Sequence, residues 1–72
     1  MKEYEGVIRE IEGLASIARS EINRKNLAEA RAFQNEAIRK IKQIPFRDRR
    51  AVISRLSEEA RKALGISLKR IF

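Results

Sequence analysis

The chain has seventy-two residues, with seventeen lysines and arginines against ten acidic groups, for a net charge of +7. It contains no cysteine and no histidine, which excludes a disulfide framework and removes the commonest general base and metal ligand. So short a chain buries only about 60% of its unfolded surface and has room for one small core; no apolar run approaches the ~18 residues of a membrane span.

The first helical pattern covers about residues 2–22. Tyr4, Val7, Ile8, Ile11, Leu14, Ala15, Ala18 and Ile22 recur at steps of three and four and form one apolar stripe. Glu3 and Glu5 suit the positive end of the helix dipole. Glu5 and Arg9, like Glu21 and Lys25, are spaced for i, i+4 pairing. Gly6, Gly13 and Ser20 form a small-residue line at seven-residue spacing. It reads as a groove for another helix, a partner's included, or as glycines that are simply tolerated.

Residues 23–26 form a turn. Asn26 is a suitable N-cap, and Glu29 three residues later completes a pattern close to a capping box. The second helix spans about residues 27–43, with Leu27, Ala30, Phe33, Ala37, Ile38 and Ile41 facing inward and Ile44 following them. Pro45 ends that pattern, because the residue before a proline avoids the helical region, and Pro45 can open the next helix. The third helix spans about residues 46–64, with Val52, Ile53, Leu56, Ala60, Ala63 and Leu64 apolar. Gly65 is a natural stop, with Ile66 folding back in a Schellman-type contact. The expected fold is all-α: an antiparallel three-helix bundle over residues 1–66 and a short C-terminal tail, 67–72.

The charge is uneven: net −2 over residues 1–22, +4 over 23–44 and +5 over 45–72. The basic residues gather around the second turn as Arg39, Lys40, Lys42, Arg47, Arg49 and Arg50. Three arginines near a helix start, with its free N–H groups, form a candidate contact for phosphate or an acidic partner. The plainer alternative is a solvated basic turn, partly neutralised by Glu3, Glu5 or Asp48. An antiparallel bundle puts this turn at the same end as the acidic N-terminus.

With one aspartate, no histidine and no cysteine, no nucleophile–base pair or metal cluster is legible, so no enzyme, cofactor or metal is expected. A helix-turn-helix is disfavoured because the second helix is long and Glu58 and Glu59 interrupt the third. Tyr4, Phe33, Phe46 and Phe72 are too dispersed for a base-stacking platform. The charged first residues are unlike a signal peptide, and a cytoplasmic protein is expected. Eleven arginines against six lysines, with a single methionine, have a thermophile look.

Asn26-Leu27-Ala28-Glu29-Ala30, leading to Ala37, Ile38 and Ile41, resembles the MIT and TPR-like helical modules across residues 15–64. Gln34, with Phe33 beside it, stands where the MIT family usually has a tyrosine. That resemblance implies three helices binding a short helical peptide between them. The C-terminus, Gly65 to Phe72, is similar to a sliding-clamp-binding peptide: Leu68, Ile71 and Phe72 fit, and Gly65 stands where glutamine is usual. It implies that these three residues dock on a partner; the alternative is that they cover the bundle's own core. In size, charge and fold the chain also resembles the small helical subunits of archaeal replicative DNA polymerases.

The expected function is a non-enzymatic accessory subunit. It docks on a larger protein of DNA replication or repair type and sets its basic surface near nucleic acid. An MIT-like peptide adaptor and a non-specific nucleic-acid binder are the alternatives, and self-association is open.

Overall fold

The computed structural model describes residues 2–67. A single 3-10 turn, Lys2–Tyr4, leads into α1, Glu5–Asn23; α2 is Leu27–Lys42, α3 Phe46–Arg55 and α4 Glu58–Leu64. The all-α class holds, but among the described residues four α-helices replace the expected three, because the pattern read as one helix over 46–64 breaks at Leu56-Ser57. Among the described residues no helix is long and apolar enough to cross a membrane.

α1 and α2 form an antiparallel hairpin. Glu10 meets Lys40, and Tyr4 meets Asp48 just beyond α2. The turn between them is a Schellman motif: the Asn26 amide donates to the Glu21 carbonyl at 2.8 Å and the Lys25 amide to that of Ile22 at 2.9 Å. The motif needs a left-handed residue, which is Lys25 at φ 62°, where glycine is usual. Asn26 occupies the N-cap position of α2 without making a side-chain cap. Its side-chain Nδ2 instead donates to Glu21 Oε2 at 2.7 Å. Glu21 also takes Arg24 at 3.2 Å, rather than the expected Lys25.

The core joins Ile11 and Ala15 of α1, Ala37 and Ile41 of α2, Val52 and Ile53 of α3, and Ala60 and Leu64 of α4, with Ile44, Leu56 and Ile66 from the connections. α4 packs on α1 and α2, and α3 on α2. The stripe read from periodicity thus faces inward along most of its length. Its ends do not: Ile22 is 38% and Leu27 63% exposed, since both flank the α1–α2 turn.

The α3–α4 break is built from side chains. Leu56 is extended, at φ −70° and ψ 150°. Ser57 then caps α4, its hydroxyl accepting from the Ala60 amide at 3.1 Å. Arg61 of α4 turns back and donates through Nη1 to the carbonyls of Leu56 at 2.8 Å and Ile53 at 3.2 Å. Those carbonyls belong to the end of α3, where the helical ladder runs out, and that of Ile53 also accepts from the Leu56 amide at 3.1 Å. Gly65 ends α4 at φ 69°, and the Ile66 amide donates to the Arg61 carbonyl at 2.9 Å. Ile66 itself is buried, as the expected fold-back requires.

Candidate functional site

The basic residues of the second turn come from two helix ends. Arg39, Lys40 and Lys42 lie in the last turn of α2, where cations suit the negative end of the dipole. Arg47, Arg49 and Arg50 lie in the first half of α3. Pro45, at φ −50° and ψ 136°, holds the N-cap position of α3, one place earlier than a helical first residue. The Asp48 amide closes the turn on the Pro45 carbonyl at 2.8 Å.

The six residues do not act alike. Arg49 is committed to the backbone. Its Nε donates to the Ile44 carbonyl at 2.9 Å and its Nη2 to the Lys42 carbonyl at 2.6 Å. It therefore caps the C-terminal end of α2 and holds the start of α3 against it. The same guanidinium lies over the Phe46 ring, 5.5 Å from its centroid, within cation–π range. Lys40 reaches across to α1, with Nζ 2.9 Å from Glu10 Oε2. Its hydrogen bond to Glu10, more than the accompanying charge attraction, raises the ammonium above its ordinary value. Arg39 donates to Glu36 one turn earlier, and that bond lowers the Glu36 carboxyl and raises the guanidinium. Lys42 is exposed, and its carbonyl is the one Arg49 holds.

Arg47 and Arg50 remain. Both are exposed, and among the described residues neither is ion-paired. Asp48, between them and half-buried, accepts from the Tyr4 hydroxyl at 2.6 Å through Oδ2. That bond is the leading cause of the raised Tyr4 phenol. The acidic N-terminus and the basic turn do share one end of the molecule. Glu3 and Glu5 are exposed there and form no ion pair with the arginines among the described residues.

One residue of this surface was not singled out from the sequence. Phe46 is 64% exposed, although it opens a helix whose other large apolar residues are buried. The signal was present: it is the one aromatic residue of the basic stretch and lies outside the set Val52, Ile53, Leu56.

A second surface lies between α1 and α2. Glu10, Gly13, Leu14, Ile17, Glu36 and Lys40 line an open groove of about 320 Å³. A Cβ added at Gly6 or Gly13 would meet nothing within 4 Å, so among the described residues no helix makes a close approach at these two glycines. Among the described residues no three acidic groups converge in the manner of a metal site. Leu68, Ile71 and Phe72, the expected docking residues of the tail, lie outside the described residues. Comparison with family models, with curated proteins and with solved structures finds no match to this chain.

Proposed function

We propose that the chain is a non-enzymatic accessory module that docks on a larger nucleic-acid-processing protein and turns its α2–α3 end toward the phosphate backbone. The observation that carries this is the exposure of Arg47 and Arg50, without carboxylate partners among the described residues, with Arg39 and Lys42 on the preceding helix end. Within this proposal Arg47 and Arg50 make the contact and Arg49 positions them by clamping α3 to α2. The tail residues Leu68, Ile71 and Phe72 belong to the docking side, with a sliding clamp as one candidate partner.

The test is affinity capture from native extract with and without nuclease, using the wild type, Arg47→Ala/Arg50→Ala, and a chain lacking residues 68–72. Protein partners that survive nuclease and depend on the tail, together with nucleic acid that depends on the two arginines, support the proposal. Nucleic-acid binding unchanged in the arginine variant overturns the assigned surface. Partners that all vanish with nuclease leave a direct, non-specific binder.

A peptide adaptor is the second reading, favoured by the open groove at Gly13 and Ile17. It predicts binding of isolated amphipathic peptides that resists nuclease and is blocked by Ile17→Arg.

A further inference from the structure

Phe46 is the feature the charge argument does not use. An exposed phenyl ring loses free energy in water, roughly in proportion to its open apolar area, and the core lies close by. Instead the ring stands 64% exposed among cations. Arg49 lies over the ring, and its guanidinium is fixed by the Lys42 and Ile44 carbonyls. The ring is thus supported by a group that is itself tied to the backbone, and most of its surface stays open. Arg50 follows Phe46 by one helical turn, and Arg47 precedes Arg50 by three residues. Both spacings place neighbours on a helix surface.

We infer that Phe46 stacks on one unpaired base of single-stranded nucleic acid while Arg47 and Arg50 hold the phosphates beside it. The chemistry selects this ligand. A duplex offers phosphates but keeps its bases stacked inside, so it has nothing to place on the ring. A single strand offers both a base with a free π-face and a backbone charge close to it. An acidic peptide would satisfy the arginines through its carboxylates, whereas a nucleic-acid strand joins a flat base to a backbone charge in every nucleotide. The dispersal of the other aromatic residues is consistent with this: one ring takes one base, with no platform and no sequence readout. The inference rests on the proposed phosphate-facing surface and adds the class of nucleic acid.

The experiment uses the full chain with three probes: a fifteen-nucleotide oligo-dT, a duplex of about the same length, and inorganic polyphosphate, which has charge but no base. Phe46→Ala and Phe46→Leu are expected to weaken oligo-dT binding by roughly 5- to 100-fold. Polyphosphate binding is expected to stay unchanged. Phe46→Trp is expected to retain oligo-dT binding, and as the chain has no other tryptophan, its emission should be quenched by oligo-dT and not by polyphosphate. Arg47→Ala/Arg50→Ala should weaken all three probes and flatten the oligo-dT salt dependence by a slope of about 1.4. Oligo-dT affinity insensitive to Phe46→Ala, or fully kept by Phe46→Leu, overturns the stacking and leaves the phosphate surface standing. A Phe46→Ala loss as large for polyphosphate as for oligo-dT also overturns it, because polyphosphate has no base to stack. Failure of the wild type to bind any of the three probes at low salt removes both readings. Phe46 lies outside the core, and circular dichroism of each variant confirms folding.

Discussion

The hydroxyl of Ser57 donates to Glu12 Oε1 at 2.9 Å while accepting from the Ala60 amide at 3.1 Å. The Ser57 amide donates to the other oxygen of the same carboxylate. One side chain of α1 thereby holds the N-terminus of α4, forty-five residues away. Glu12→Ala leaves the half-buried Ser57 amide without that acceptor and is expected to cost about 1–2 kcal/mol. Ser57→Ala removes the cap, for about 1 kcal/mol. Urea unfolding of both single variants and the double variant should show a combined loss smaller than the sum, because the two residues share one interaction.

Arg61 closes the other side of the same corner. Arg61→Met keeps most of the packing stem and removes the donors to Leu56 and Ile53. The expected loss is about 1–2 kcal/mol in unfolding free energy, since charged donors make the stronger hydrogen bonds. Arg61→Lys should recover only part of it, because the lysine side chain is shorter and its ammonium lacks the fixed planar donor geometry of the guanidinium.

The Tyr4 bond to Asp48 makes stability fall on the alkaline side. The folded phenol holds its proton above the ordinary value of 10.0, so the folded state binds that proton more tightly than the unfolded one. The contribution is complete below the ordinary value and is lost as pH rises through the raised one. Lys40 acts in the same direction, above its ordinary 10.5. Tyr4→Phe should therefore lower stability at neutral pH and shallow its decline above about pH 10, and Tyr4→Phe/Lys40→Met should shallow it further. Denaturant titrations across that range measure both.

Gly13 sits in the interior of α1 with open space where a Cβ would stand. Gly13→Ala is expected to raise stability by about 1 kcal/mol through helix propensity and a less disordered unfolded chain. The midpoint of urea unfolding should move up without a change in slope.

Lys25 is the opposite case, a side chain where a glycine belongs. At φ 62° it carries about 1–2 kcal/mol of left-handed strain. Lys25→Gly relieves that strain but frees the unfolded chain, so a net gain of about 0.5–1 kcal/mol is expected. Thermal unfolding of the variant tests it.

The helical class was legible because the apolar steps from Ile11 to Ala18 and from Ala30 to Ile41 match the helix repeat, and Ile11, Ala15, Ala18, Ala30, Ala37 and Ile41 among them are buried. Gly65 and Ile66 were legible for a local reason: a left-handed stop and an apolar residue after it form a motif within six residues. The division of 46–64 was harder to see. Val52, Ile53, Leu56 and Ala60 keep helical spacing straight through the break, while the competing signal, a serine followed by Glu58 and Glu59, is a helix start. Periodicity cannot choose between one helix and two that share a core.

From its sequence alone, then, this chain is all-helical, basic at its second turn and poor in catalytic groups, because propensity, apolar period and charge are properties of neighbouring residues. What only the tertiary structure decided is which partners distant groups find. Glu12 reaches Ser57 at the break between α3 and α4, Arg49 spends its guanidinium on the carbonyls of Lys42 and Ile44, and Arg47 and Arg50 are left to solvent beside an uncovered Phe46. Each of these depends on hydrogen bonds or burial set by packing between elements, which no local window of sequence contains.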